Sequence, residues 1–253
     1  MSAFASTLHT RSGPVFVKGT LTDALGAWTY RHEADVTQRA PLAPPLLWHI
    51  EAGGWTMYGY GWLDGRHPDL APDSPDLPFL VDALTALATR PWPSDVNKKP
   101  LAERLRPFTP RGEESALDGR ALTHTDLNVF NLLVTDNGLR ILDWAMSCPG
   151  PDWTDAALTV PRLITAGHTV EQAIDVMEQV PAYAAAPPRA LAVFAQAIYA
   201  FWDHRTCLDP LPQRVELTAA AKTWMLTANA LSDDGDDVGP LSLGDPWGPE
   251  PHG

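Results

Sequence analysis

Cysteine, long apolar runs and targeting signals are all scarce in this sequence. The 253-residue chain has two cysteines, Cys148 and Cys207, and neither has the spacing of a zinc site, so structural zinc is not expected. The N-terminal residues show no basic segment followed by an apolar one. The most apolar helical stretch, Ala190–Trp202, is too short to span a bilayer. We therefore predict a cytoplasmic protein with no membrane partner.

Positive charge is also in short supply. Lys and Arg total 18 against 31 Asp and Glu, which gives a formal net charge of −13. A surface of this sign repels nucleic acid, which is therefore excluded as a primary partner. It would attract a cationic small molecule, although plain solubility explains most of these charges. Residues 232–253 carry six acidic residues and no Lys or Arg, and we predict a disordered acidic tail there.

Local patterns in the first quarter of the chain predict a small antiparallel sheet with one helix. Apolar runs on either side of residues 11–14 predict one hairpin, and the runs that flank Gly53-Gly54 predict a second. Between them, Asp23 is a candidate N-cap for a helix that ends near Gln38. We assign these elements to an N-terminal lobe of residues 1–62.

The remainder, residues 63–231, is predicted to be a larger and mainly helical lobe. A helix is expected over Leu77–Thr89, and residues 91–115, which are Pro-containing and basic in places, are expected to form a long surface segment. Apolar residues at helical spacing predict four further helices: Trp153–Ala166, Val170–Val180, Arg189–Arg205 and Arg214–Leu231.

One stretch between these regions concentrates potential ligands. It reads His124-Thr-Asp126-Leu-Asn-Val-Phe-Asn131, and two short apolar strands then lead to Asp143. The turn residues at 136–138 predict that these strands form a hairpin. Asn131 and Asp143 would then converge at its two open ends.

Oxygen ligands in this pattern suit phosphoryl transfer from ATP. Such transfer needs a carboxylate near the acceptor hydroxyl and oxygen ligands that hold Mg²⁺ against the phosphates. Asp126 would accept the hydroxyl proton or orient the hydroxyl, and Asn131 and Asp143 would hold the metal. Each residue alone has an ordinary structural explanation, as a turn residue or a cap, so the indication comes from the combination.

The combination resembles the aminoglycoside phosphotransferase family, which has a protein-kinase-like fold. That family has a catalytic loop of the form H-x-D-x-x-x-x-N and a metal-binding strand end such as I-D-W, where this chain has Ile141-Leu-Asp143-Trp144. The resemblance implies catalysis by Asp126 and Mg²⁺ ligation by Asn131 and Asp143.

The same resemblance extends over about residues 3–231. It implies an α+β, protein-kinase-like bilobal fold with a small antiparallel sheet lobe plus one helix and a larger, mainly helical lobe. It also implies structural support from two residues: His124 would orient the catalytic loop, and Asp155 would be a buried hydrogen-bonding anchor.

Kinase-like folds also place a Lys on a strand, where it contacts the ATP phosphates and pairs with a helix Glu. Lys18 ends the apolar run Val15-Phe-Val, and Glu33 lies in the predicted helix. The resemblance therefore assigns Lys18 and Glu33 to the nucleotide site; a surface Lys and a surface Glu are the alternative. The Gly-rich turn that normally precedes these elements has no counterpart, because only Met1-Ser-Ala precedes the first predicted strand.

The leading hypothesis is an ATP- and Mg²⁺-dependent phosphotransferase that acts on a hydroxyl of a small molecule, such as an aminoglycoside or another amine-bearing compound. The shortened N-terminus motivates an alternative, a catalytically silent kinase-like protein that binds nucleotide or a partner. A metal-dependent hydrolase that uses His124, Asp126 and Asp143 ranks lower, because the other histidines lack HxxxH or HExxH spacing. The acceptor and the oligomeric state do not follow from the sequence.

Overall fold

An antiparallel sheet and one helix form the start of the computed structural model, which describes residues 4–233. The strands are β1 (Phe4–Thr10), β2 (Gly13–Leu21), β3 (Leu46–Ala52) and β4 (Trp55–Gly61), and the helix is α1 (Ala27–Thr37). The strand order is β1-β2-β4-β3, so both predicted hairpins are confirmed. Tyr30 and Ala34 of the helix pack with Tyr58 and Tyr60 of β4 in a small core of their own.

Helix α1 begins later than the sequence predicts. Its N-cap is Gly26, which provides no side-chain hydrogen bond, so the assignment of Asp23 as N-cap is wrong. The main chain before the helix is used by turns instead, because the N–H of Thr22 donates to Gly54 at 2.8 Å and the N–H of Ala24 donates to Leu21 at 3.1 Å. Because these turns follow β2, the helix begins only at Ala27.

The later part of the described chain is mainly helical. Its helices are α2 (Leu77–Ala88), α3 (Leu101–Leu105), α4 (Thr154–Thr165), α5 (Val170–Glu178), α6 (Pro181–Ala184), α7 (Pro188–Leu208) and α8 (Pro212–Asp233). The four helices predicted after residue 150 are all present, and α6 is additional. A single large core runs through this part, with Trp144, Phe194 and Trp224 fully buried. The α+β, protein-kinase-like architecture is confirmed.

Residues 91–115 differ from the expected surface segment. They contain α3 and two short 3-10 helices, and Leu101, Ala102 and Leu105 are buried in the main core. The sequence pattern does not predict α3, because five helical residues are too few to show a clear period. This helix brings the basic residues around it close to the site.

Two short strand pairs lie next to the candidate site. Strand β5 (Ala121–Thr123) pairs with β8 (Cys148–Gly150), and β6 (Leu132–Thr135) pairs with β7 (Gly138–Ile141), which confirms the hairpin predicted there. The turn uses Gly138 at a φ of 87°, a conformation that glycine adopts without strain. Together the two pairs bring the loop after β5 against the chain that follows β7.

Two predictions concern parts of the chain outside the described residues. These parts are Met1–Ala3, where a phosphate-covering segment would begin, and residues 234–253, which make up most of the predicted acidic tail. Its first residues, 232–233, still belong to α8. Within residues 4–233, none of the helices has the length and apolar character needed to cross a membrane.

Candidate active site

Buried hydrogen bonds hold the loop that follows β5. Asp155, in the first turn of α4, accepts the main-chain N–H of His124 at 2.7 Å and that of Thr125 at 2.8 Å, one with each carboxylate oxygen. The Nε2 of His124 lies 2.9 Å from the carbonyl oxygen of Leu142, and its Nδ1 accepts the N–H of Asp126 at 3.2 Å. A neutral imidazole with its proton on Nε2 satisfies both contacts. The structure therefore places both His124 and Asp155 in contact with this loop, and their supporting role in catalysis stays a prediction.

Burial dominates the electrostatics of this support. It lowers the pKa of His124 from its ordinary value, with the charge of Asp155 opposing the shift. It raises the pKa of Asp155, with His124 and the main-chain N–H groups opposing that shift. Since both ring nitrogens of His124 already have partners, the imidazole offers no free lone pair to a metal ion. This geometry argues against the hydrolase alternative, in which His124 would be a ligand.

Thr125 has a strained backbone directly before Asp126. Its φ of 63° is in the left-handed region, which β-branched residues rarely adopt. Its hydroxyl donates to the carbonyl oxygen of Met146 at 2.7 Å, and the guanidinium of Arg104 donates to the same oxygen at 2.6 Å and to the hydroxyl at 3.3 Å. Strain of this kind persists where surrounding contacts overdetermine it, and it clusters at functional sites.

Asp126 is held from several sides yet remains accessible. The side-chain amide of Asn131 donates to the Asp126 carbonyl at 2.8 Å and to its carboxylate at 3.3 Å, and that of Asn128 donates to the carboxylate at 3.3 Å. The Nη2 of Arg162 lies 3.5 Å from the Oδ1 of the same carboxylate, the oxygen that Asn128 also contacts. Because 43% of the Asp126 side chain is exposed, a substrate hydroxyl can reach it.

A second cluster joins β2, α1 and the end of the β6–β7 hairpin. The Nζ of Lys18 lies 2.8 Å from Glu33 and 3.3 Å from Asp143. The side chains of Lys18 and Glu33 are almost buried, whereas that of Asp143 is 46% exposed. The structure thus brings together the Lys–Glu pair that the resemblance implies and adds the expected metal ligand to it.

Lys18 is electrostatically well supported in this cluster. Burial by itself favours the neutral amine, but the carboxylates of Glu33 and Asp143 outweigh that effect and raise the pKa of Lys18. Burial raises the pKa of Glu33, and the neighbouring ammonium opposes the rise. One ammonium between two carboxylates stays charged at neutral pH, and Asp143 is the member of the cluster whose side chain is most exposed to solvent.

The residues at the open end of the hairpin fit a magnesium ion. Asp143 has a φ of 60° and a ψ of 69°, a left-handed conformation that Asp tolerates better than most residues. The N–H of Leu142 donates to the carbonyl of Asn131 at 2.8 Å, which keeps the two ends of the hairpin together. Asn131 uses its NH₂ group to bind Asp126, which leaves its amide oxygen as a donor to a cation. A carboxylate and an amide oxygen are hard ligands of the kind Mg²⁺ takes when phosphates complete its shell.

His32 of α1 contacts the segment that follows Asp143, a contact that the sequence does not predict. Its Nε2 lies 3.1 Å from the carbonyl oxygen of Ser147, and its ring stacks on Trp92 with 6.0 Å between centroids. Burial, assisted by the charge of Lys98, lowers the pKa of His32 to about 4. The imidazole is therefore neutral at physiological pH and donates to the main chain that follows Asp143.

Three cations near the site escaped the sequence analysis: Lys98, Arg104 and Arg162. Lys98 donates to the carbonyl of Ala145 at 3.3 Å and lies 4.5 Å over the ring of Trp28. The basic character of residues 91–115 was the available signal for Lys98 and Arg104, but their targets are main-chain oxygens, which sequence patterns do not identify. Arg162 had no signal beyond a place in a predicted helix.

Comparison with a protein-family model bears on these residues directly. The model of the phosphotransferase enzyme family matches residues 100–191, which include the loop from His124 to Asn131, the β6–β7 hairpin and Asp155. The resemblance to the aminoglycoside phosphotransferase family is confirmed. A comparison with curated proteins gives no match.

Solved structures are similar over nearly the whole chain. The choline kinase LicA from Streptococcus pneumoniae has a TM-score of 0.60 at 11% identity, and the likeness covers 88% of this chain and 89% of that one. An aminoglycoside phosphotransferase from Alicyclobacillus acidocaldarius has a TM-score of 0.52 at 13% identity, with 92% of each chain covered.

A thermostable mutant of the aminoglycoside phosphotransferase APH(4)-Ia, in a ternary complex with AMP-PNP and hygromycin B, has a TM-score of 0.57 at 13% identity and covers 94% of this chain and 96% of that one. Likeness at these identities shows the fold. Together with the family match, it supports a small-molecule phosphotransferase.

Proposed function

We propose that this protein is an ATP- and Mg²⁺-dependent phosphotransferase that phosphorylates a hydroxyl group of a small molecule in the cytoplasm. The observation that carries the proposal is the pairing of two clusters. Asp126 contacts Asn131 in one, and Lys18 lies between Glu33 and Asp143 in the other. These residues come from a strand, a helix, a loop and a hairpin end. Phosphoryl transfer is the chemistry that uses all of them.

Each cluster has a separate task in this reaction. Lys18, oriented by Glu33, would contact the phosphates of ATP, and Asn131 and Asp143 would hold Mg²⁺. When bound, the ion neutralises charge on the phosphate oxygens. Asp126 would orient the acceptor hydroxyl and take its proton as the new oxygen–phosphorus bond forms and the bond to ADP breaks.

The acceptor is a small molecule with at least one hydroxyl. The net charge of −13 and the likeness to an enzyme solved with hygromycin B support amine-bearing compounds as first acceptors to try. The immediate surroundings of Asp126 contain a cation as well, and this cation bears on the acceptor class.

Nucleotide binding and transfer test the proposal in two stages. Mg·ATP is expected to raise the melting temperature of the wild-type protein, and ADP release is expected to rise when an acceptor is present. Asp126→Asn should retain the first effect and lose the second. A protein that neither binds Mg·ATP nor transfers phosphate to any acceptor would contradict the proposal.

A catalytically silent nucleotide- or partner-binding protein is the second candidate. Mg·ATP binding with no transfer to any of a broad set of hydroxylated acceptors, and no difference between the wild type and Asp126→Asn, would favour this reading.

A further inference from the structure

Arg162 is a buried cation beside the catalytic carboxylate. It lies in α4, and its side chain is 16% exposed. The contact between its Nη2 and the Oδ1 of Asp126 is long, at 3.5 Å. Its guanidinium carbon lies 6.0 Å from the ring centroid of Trp202, a partly buried residue of α7. The guanidinium therefore faces the catalytic carboxylate on one side and an aromatic ring on another.

The hydrogen-bonding capacity of this guanidinium is largely unused. Arginine has five N–H donors and stays charged in proteins. The Nε of Arg162 is buried and has no hydrogen-bond partner. Four other buried polar atoms within residues 4–233 also lack a partner, but they belong to neutral side chains: Thr37, Thr154, Gln196 and Asn229. Arg162 is the charged member of that group.

Stability does not account for this arrangement. Removing a charge from water costs free energy that only close pairing and satisfied hydrogen bonds recover. Burial lowers the pKa of Arg162, with Asp126 opposing the shift, which reflects this cost. Two other largely buried or part-buried cations are better paired, since Lys18 lies 2.8 Å from Glu33 and Arg189 lies 2.7 Å from Glu113. An apolar side chain at position 162 would fill the same space without the penalty.

We propose that Arg162 binds the acceptor by donating hydrogen bonds to a carboxylate or a similar anionic oxygen group, while Asp126 faces the acceptor hydroxyl. This inference rests on the proposed phosphotransferase function and specifies its acceptor class: a hydroxylated acid or zwitterion. A planar guanidinium matches a carboxylate with parallel N–H···O bonds, and Trp202 offers an apolar wall beside it. A polycation without an acidic group would meet like charge at this point.

The test compares acids with the matching neutral alcohols. The panel pairs hydroxylated carboxylates with the corresponding polyols, for example glycerate with glycerol and gluconate with sorbitol. Hygromycin B represents cationic acceptors without an acidic group. Binding is measured by calorimetry with Mg·AMP-PNP present, and transfer is measured with Mg·ATP. The wild type is expected to prefer at least one acid over its polyol by roughly tenfold or more, the scale of a charged hydrogen-bonded contact.

Three variants separate a binding role from a structural one. Arg162→Met should abolish the preference for the acid by raising KM, with Mg·ATP affinity unchanged and thermal stability equal or higher. Arg162→Lys keeps the charge without the planar fork and should restore part of the preference. Arg189→Met is the matched control, because Arg189 lies in the first turn of α7, about 20 Å along the helix from Trp202, and this variant should retain the full preference.

The outcomes are distinct for the two proposals. Equal binding of every acid and its polyol, a preference for hygromycin B, or unchanged acid binding in Arg162→Met would overturn the acceptor assignment while leaving phosphotransfer intact. A large loss of stability in Arg162→Met would also overturn it, since that result indicates a structural cation. Acid binding that depends on Arg162 without any phosphate transfer would support the anion site and contradict the proposed function instead.

Discussion

The two cations of the candidate site differ in how completely the protein pairs them. Lys18 lies between two carboxylates, at 2.8 Å from Glu33 and 3.3 Å from Asp143, whereas Arg162 has one carboxylate at 3.5 Å and a buried Nε without a partner. Both are largely buried, so burial does not explain the difference. Under the proposed function, this contrast would mean that the protein prearranges the nucleotide side of the site, while a bound acceptor completes the pairing of Arg162.

The largest expected effect is a loss of turnover that leaves nucleotide binding unchanged. Asp126→Asn should lower kcat by about 10²- to 10⁴-fold, the usual contribution of a positioned general base. Mg·ATP affinity should stay unchanged, because the Lys18 cluster is intact. Steady-state kinetics and a nucleotide titration measure the two effects. Asp136→Asn, in the exposed turn of the β6–β7 hairpin, is the control, and near-normal turnover by Asp126→Asn would remove the base assignment.

A second prediction compares the contributions of Lys18 and Arg162 to the free energy of unfolding. Lys18→Met should lower the free energy of unfolding by about 3 kcal/mol or more, because it leaves the Glu33 carboxylate buried without its partner. Lys18→Met combined with Glu33→Gln should recover part of that loss. Arg162→Met should have little effect or a stabilising one. Urea unfolding of the wild type and the three variants measures these effects, and similar losses for Lys18→Met and Arg162→Met would contradict the proposed difference between the two cations.

The third prediction concerns the support behind the Lys18 cluster. The pKa of His32 is about 4 in the folded state, against an ordinary value near 6.5. Between these values the unfolded chain binds a proton that the folded chain does not, so stability should fall as the pH decreases from about 6.5 to 4. The loss is roughly 2 to 3 kcal/mol. The free energy of unfolding should depend less on pH over this range in His32→Gln than in the wild type. An equal pH dependence in the two proteins would contradict the lowered pKa of His32.

The smallest effect is expected at the metal position. Asp143→Asn should weaken Mg²⁺-dependent nucleotide binding by about tenfold or more, because it removes the charged ligand. Asn tolerates the left-handed backbone at this residue, so the fold should survive. A nucleotide titration with and without Mg²⁺ provides the measurement. Equal Mg·ATP affinity in the wild type and the variant would contradict the metal role and leave Asp143 only as a partner of Lys18.

Patterns within one element were the predictable part of the fold. Both sheet hairpins and the β6–β7 hairpin follow from turn residues between apolar runs, and α4, α5, α7 and α8 follow from helical spacing. The prediction failed at Asp23, where turns that reach Gly54 use the main chain before the helix starts. It also failed at α3, whose five residues are too short for a periodic signal.

The sequence by itself determined which chemical groups the site contains. The spacing of Asp126, Asn131 and Asp143 predicts phosphoryl transfer because the pattern is local, and the family resemblance adds Lys18 to the predicted site. Only the tertiary structure decided which charges face each other. Nothing in the phase of α4 shows that Arg162 ends beside Asp126, since a helix period identifies a buried face but not the group that packs on it. The partner of a buried cation, or its absence, is therefore a property of the packed structure.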